Sequence, residues 1–351
     1  MSKRIYAAIG LILITVLCTV GLGIVKKNKD VKESVAYDGK AYSETRECFG
    51  TVLTITLYAK EDEAKSIAKK AFSECTRLEN IFSAKLDDSE LSRLNATAAD
   101  GPVNVSSELM EVFCAALYYN KLSDGALDIS VGGLVKLWGI GTQDEKVPSA
   151  EEILPFVNAD GCKYIVIDEK NGTITYTSDK ISVDLGAVAK GYAAGKIKEL
   201  ILENMENAAG IINFGGNIVT VGSKENGEAW NIGITNPLRP SEICGKVSGT
   251  DMCVVTSGNY ERYFVKDGVR YHHILDPFTG YPADSGIISA TIVGNDSMQC
   301  DALSTACYIL GVEKALALIN SIDGVEAVFI DDSGKSHASD GMSKYNLNIG
   351  M

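Results

Sequence analysis

Four polar clusters stand where packing alone would ask for apolar side chains. In Gln299–Leu310, Asp301 and Thr305 are four apart and share one face of an otherwise apolar helix. A carboxylate and a hydroxyl there offer hard oxygens to Mg²⁺, which takes few protein ligands and completes its octahedron with water and phosphate. The same pair equally reads as an Asp satisfying helix amides and a Thr bonded back to the preceding turn. In Val183–Tyr192 a strand ends at Asp184 and a helix begins at once, so free N–H groups and the positive helix end can meet an anion. There Asp184 can instead cap those amides, and Lys190 can be an ordinary surface lysine. Two of the chain's three histidines, His272 and His273, precede a DPxTG turn (Asp276 to Gly280). No third N or S ligand lies at suitable spacing, so a general acid or base is the sharper reading of the pair. Ser257 lacks a GxSxG elbow, which argues against a serine hydrolase. Asp128, inside an apolar run that leads into Gly132-Gly133, is either a helix cap or a ligand contact.

These residues need a frame. Periodicity predicts a strand over Phe49–Tyr58 and helices over Glu61–Phe82 and Ser107–Leu122, with a polar loop from Ser83 to Asn95. A hairpin pairs Tyr164–Asp168 with Thr173–Thr177. A strand Ile181–Asp184 feeds a helix Gly186–Met205. Strands follow at Ala209–Phe214, Trp230–Ile234, Cys253–Thr256 and Ile287–Val293, then helices Gln299–Leu310 and Val312–Ser321, and a final strand Ala327–Ile330. Strands and helices do not alternate strictly, so the expected class is α+β, mixed sheets with packed helices, rather than a doubly wound sheet.

Hydrophobic residues at 46% and charged residues at 23% suit a globular body with a large core. Residues 1–30 hold five bases and one acid, so the net charge of −13 leaves −17 on the rest. So acidic a body argues against nucleic acid as a partner, and a phosphate ligand would need a metal or a local positive pocket. Ile5 to Val25 is an uncharged apolar run of 21 residues behind Lys3 and Arg4. It is long enough to span a bilayer and reads as an N-terminal hydrophobic helix, a signal or anchor over residues 1–25. Residues 26–42 then read as a linker, and 43–351 as a globular body expected on the extracytoplasmic side of the cell membrane. The nine cysteines show neither a CxxC pair nor a disulfide framework, and most sit in apolar surroundings as small buried hydrophobes.

In this order, the clusters resemble the FAD:protein FMN transferase (ApbE) family. The likeness runs through Phe49-Gly50-Thr51, Asp88 to Asn95, Asp128 with Leu137-Trp138-Gly139, and Val183-Asp184-Leu185-Gly186. It continues through Lys190-Gly191-Tyr192, Phe214-Gly215-Gly216, Thr256 to Tyr260, His273 to Gly280 and Asp301 to Thr305, spanning roughly residues 45–335. The resemblance implies an enzyme that cleaves FAD with Mg²⁺ (Mn²⁺ being the alternative), esterifies FMN to a Thr or Ser of an exported acceptor protein, and releases AMP. The acceptor carries a Ser/Thr-Gly-Ala-Ser/Thr motif, absent from this chain. By motif, Asp301, Thr305 and the carbonyl of Ala187 correspond to metal ligands. Phe49, Lys85, Ala126, Leu127, Asp128, Asp184, Lys190 and Leu275 correspond to flavin or nucleotide contacts, and His273 to the base for the incoming hydroxyl. Phe49 stands where Met is common, Lys85 where many relatives have Tyr, Ala187 for a frequent Thr, and Ser304 where some have a further Asp. Two other readings share the motifs: a metal-dependent FAD pyrophosphatase, and a flavin-binding module without chemistry.

Overall fold

A computed structural model describes residues 41–157, 161–224 and 226–350. Its frame is an eight-stranded sheet: β1 (Tyr42–Cys48), β2 (Thr51–Leu57), β3 (Gly210–Phe214), β4 (Asn217–Val221), β5 (Cys253–Gly258), β6 (Ile287–Gly294), β7 (Glu326–Asp331) and β8 (Ser336–Ala338). The strands lie side by side in chain order and every neighbouring pair is antiparallel. The helices are insertions into this meander: α1 (Glu61–Phe82), α2 (Glu90–Thr97), α3 (Ser107–Leu122), α4 (Gly132–Trp138), α5 (Ala150–Ile153), α6 (Ala189–Asn204), α7 (Ser297–Leu310) and α8 (Val312–Asn320). The class is α+β, as expected.

The sheet is a middle layer. Side chains of period two send Ile212, Val255, Ile292 and Phe329 into the core under α1, α6 and α7. Their neighbours Ile211, Val254, Val293 and Val328 pack on the opposite face, where strands Trp230–Thr235, Ile243–Gly249 and Asn348–Ile349 form a second sheet. Two buried faces explain why the central strands read as nearly continuous apolar runs.

Helices α1 and α3 have the expected bounds. The loop expected over Ser83–Asn95 contains α2 instead. Ser89 Oγ caps it by accepting from Ser92 N at 2.9 Å, and Leu91 and Leu94 are buried, a pattern too short for periodicity to reveal. The strand expected at Ile181–Asp184 is a single bridge from Ser182 to Val131. Helix α6 starts at Ala189 rather than Gly186, because Asp184 first turns the chain. Strand β7 is not the last, since β8 and Asn348–Ile349 follow it. Cysteine spacing also misled: Cys48, at the end of β1, forms a disulfide with Cys75 of α1, a tertiary pairing that linear spacing does not encode. Cys114, Cys162, Cys244, Cys253, Cys300 and Cys307 are free.

The expected segment 1–25 and nearly all of the expected linker lie outside the described residues. Among those described, no helix is long and apolar enough to cross a membrane.

Helices α6 and α7 cross in close contact near the polar clusters. A Cβ at Gly191 would lie 2.3 Å from the Ser297 carbonyl oxygen and 2.7 Å from the Met298 Cα. Gly191→Ala must therefore push two backbones apart. It is expected to destabilise the fold by ~1–3 kcal/mol, readable as a lowered midpoint in urea.

Candidate active site

Asp301 and Thr305 lie one turn apart on α7, whose start is capped by Asp296. The Asp301 side chain is nearly buried. Its Oδ2 accepts from Gly191 N at 2.8 Å, and Lys190 Nζ stands 3.4 Å from Oδ1. Asp301 thus caps the first turn of α6 from another helix, where the positive helix end favours an anion. Burial raises its pKa, while Lys190 chiefly opposes that shift. In a helix continued backwards, Gly191 N–H would bond the Ala187 carbonyl. Here it turns to Asp301 instead, which leaves that carbonyl free of its helical partner. Ser257 Oγ links the cluster to β5, 2.8 Å from Ser304 Oγ and 3.4 Å from Thr305 Oγ1. Asn217 is buried, and its side chain helps to hold the Asp301 pKa down by hydrogen bonding.

This donor set fits one kind of cation. Among the described residues, no three of His, Cys, Asp or Glu converge as a metal cluster. One carboxylate, one hydroxyl and one carbonyl suit a hard ion that keeps most of its sphere for water and phosphate.

Lys190 Nζ also donates to the Gly186 carbonyl at 2.7 Å, so its charge stands at the mouth of the α6 N-terminus. The turn leading there is fixed by Asp184, whose Oδ1 accepts from Gly186 N (2.8 Å) and whose amide donates to Ile129 O (2.8 Å). That second bond ties α6 to the Ala126–Ser130 loop. The carboxylate of Asp128 is taken up internally, accepting from Ser130 N, Gly161 N and Cys162 Sγ. Ala126 and Leu127 are buried, so the side chains of this loop hold its shape. Beside it opens a cavity of about 510 Å³ lined in part by Lys121, Gly125, Cys162 and Lys163.

Phe49 and Gly50 form the two-residue turn between β1 and β2, with φ of +52° and +63°. Both central residues of a type I′ turn need positive φ, which suits Asn-Gly and strains an aromatic residue. A left-handed Phe costs roughly 1–2 kcal/mol. It is held by Glu79, whose Oε1 accepts from Phe49 N at 2.8 Å, and its ring meets Phe214 edge-on at 5.6 Å. Lys85 sits on the exposed loop after α1, tied through its amide to Ser83 Oγ.

The two histidines separate in role. His272 is buried, with Nε2 on the Ala283 carbonyl (3.1 Å) and Nδ1 facing Ile274 N, so it braces the loop. His273 Nδ1 lies 3.3 Å from the Arg262 carbonyl, which fixes the Nδ1–H tautomer and leaves Nε2 as the basic nitrogen. Burial, then the positive charges of Arg262 and Lys190, lower its pKa to about 3. Leu275 packs in an apolar cluster with Leu134, Trp138 and Ile153, while Trp138 Nε1 donates to Gly280 O at 2.8 Å. The Asp276 carboxylate serves the DPxTG turn itself, accepting from Phe278 N and Thr279 Oγ1.

The structure therefore gathers Asp301, Thr305 and Lys190 around the start of α6, with His273 near enough to feel the Lys190 charge. Sequence reasoning passed over Glu79, which looked like one more solvated helix charge, and Glu261. Surrounding protein pushes the Glu261 carboxyl above its ordinary range against the pull of Lys190 and Arg262. Only a charged pair at the end of a strand marks Glu261 in the sequence.

The profile of the ApbE family matches residues 49–329. An FAD:protein FMN transferase of Treponema pallidum is 34% identical, over 97% of this chain and 95% of its own. One from Klebsiella pneumoniae is 33% identical over 84% and 90%. Among solved structures, the ApbE protein of Thermotoga maritima superposes with a TM-score of 0.81 at 32% identity, covering 87% of this chain and 99% of that one. The flavin transferase ApbE of Vibrio cholerae gives 0.77 at 27% identity, covering 87% and 99%.

Proposed function

This chain belongs to the ApbE family, and from that premise we propose that it is an FAD:protein FMN transferase that uses Mg²⁺, esterifies FMN to a Ser or Thr of an acceptor protein, and releases AMP. The observation that carries the reading is the α6–α7 crossing, where the carboxylate of Asp301 and the hydroxyl of Thr305 flank a helix N-terminus armed with Lys190. An otherwise acidic body thereby concentrates positive potential where a pyrophosphate would sit.

Phosphoryl transfer asks chiefly for positioning and charge neutralisation. Lys190 and the amides at the start of α6 orient the pyrophosphate, and Phe49 offers an apolar face to the flavin. Asp301, Thr305 and the Ala187 carbonyl would hold the metal, which supplies charge neutralisation for the departing AMP phosphate. His273 Nε2 takes the proton of the acceptor hydroxyl. That oxygen bonds to the FMN phosphorus as the P–O bond to AMP breaks, and the electron pair leaves with AMP. Residues 5–25 would tether the enzyme so that it meets exported acceptors, a reading that rests on their uncharged apolar run.

The test is to incubate the protein with FAD, Mg²⁺ and a Ser/Thr-Gly-Ala-Ser/Thr acceptor domain and weigh the intact acceptor. The expected result is a gain of one FMN, abolished by EDTA. FMN and AMP with an unchanged acceptor would mean a pyrophosphatase instead, and untouched FAD a binding module.

A further inference from the structure

We propose that Arg262 is a positioning residue that holds the Phe49–Gly50 turn and His273 in one frame. The inference rests on the transferase reading above. Three hydrogen bonds carry it. The Arg262 guanidinium donates to the Gly50 carbonyl at 3.0 Å, across 212 residues of chain. The Arg262 carbonyl accepts from His273 N at 3.1 Å and from His273 Nδ1 at 3.3 Å. One residue thus grips the turn that presents an aromatic ring with its side chain, and the ring that presents a basic nitrogen with its backbone.

The grip matters because the turn is strained. A Phe at φ +52° relaxes unless its surroundings over-determine it. Glu79 holds the Phe49 amide from the α1 side, and Arg262 holds the next carbonyl from the β5–β6 connection. The space beside Gly50 is empty, with no atom within 4 Å of where a Cβ would stand, so the turn lacks side packing there to replace these bonds. Freed from Arg262, the turn keeps its pairing in the sheet and its Glu79 and Phe214 contacts, but loses the bond that sets its angle relative to His273.

Substituting the side chain leaves the Arg262 carbonyl, and so the His273 tautomer, in place. Arg262→Ala is therefore expected to raise KM for FAD about tenfold, with kcat within a factor of about two when read above about pH 7.5, where His273 stays neutral with or without the Arg262 charge. The thermal midpoint should change little, because the lost bond is exposed. Arg262→Lys, which keeps one donor, should recover part of the KM. In a Phe49→Ala background the Arg262→Ala change should add almost nothing, since the two act through one contact. An unchanged KM in Arg262→Ala, or full additivity with Phe49→Ala, overturns the inference. So does a fall in kcat alone, which would place Arg262 in the chemistry. If the wild-type protein transfers no FMN while FAD still binds, the transferase reading fails instead. The FAD dissociation constant, followed by flavin fluorescence, then tests Arg262 separately, with the same tenfold weakening expected and no weakening overturning it.

Discussion

Asp301→Asn is expected to lower kcat/KM for flavin transfer about 10³-fold, the scale on which one electrostatic group aimed at transition-state charge contributes, while the protein stays folded. Asp301 does two things at once. Its Oδ2 caps α6 through Gly191 N–H, and its Oδ1 faces Lys190 at a distance too long for a strong bond. An Asn oxygen can still accept from Gly191, so the cap survives and the thermal midpoint should hold. What disappears is the negative charge that recruits a cation and sets it against a pyrophosphate. Ala at the same position removes the cap as well, so the Asn variant is the cleaner probe. FAD binding with Mg²⁺ titrated in should lose its metal dependence in Asp301→Asn. Retained metal-dependent transfer in a folded Asp301→Asn protein would sink the metal assignment.

The sequence showed long periodic elements well and tertiary closures poorly. Helix α1 could be read to the residue because Ala64, Ile67, Ala68, Ala71 and Phe72 make one apolar face over twenty-two residues. The central strands were legible as strands, yet their order was not, since nothing local says that helical insertions return the chain to the next place in one antiparallel meander. At the site, the spacing of Asp301 and Thr305 on an apolar helix singled the pair out but left a cation site and a helix-satisfying role both open. The structure adds what spacing omits, namely that Asp301 is anchored by an amide 110 residues away and that Gly191 is a glycine because two helices cross there. Asp128, a carboxylate open to two readings, spends its oxygens on Ser130 N of its own loop and on Gly161 N and Cys162 Sγ of a turn distant in sequence. The Cys48–Cys75 bond and the Glu79 anchor were invisible because both join a strand end to a helix face, and no local pattern records such a contact.

His273→Gln should cut transfer about 10²–10⁴-fold, the usual range for a positioned general base, with FAD still bound. The interest lies in how so weak a base can serve. Half-buried, desolvated and flanked by Arg262 and Lys190, His273 is pulled to about pKa 3 in the free protein. It is therefore neutral and able to accept a proton throughout the neutral range. A base of that strength does not ionise an alcohol in the ground state, but a loose phosphoryl transition state does not require it to, because the hydroxyl becomes acidic as its oxygen bonds to phosphorus. Binding an anionic pyrophosphate against Lys190 offsets part of the positive field and moves His273 back towards its ordinary 6.5. The acid limb of kcat, which reports the bound complex, is thus expected at higher pH than that of kcat/KM, which reports free enzyme. Stability follows with a definite sign. The unfolded chain binds a proton at His273 below about 6.5, whereas the folded one resists until about 3, so the contribution is fully present above 6.5 and is lost as pH falls through that window. Rate profiles in which kcat and kcat/KM share one acid limb near 6.5, unchanged in His273→Gln, would remove His273 from the proton transfer.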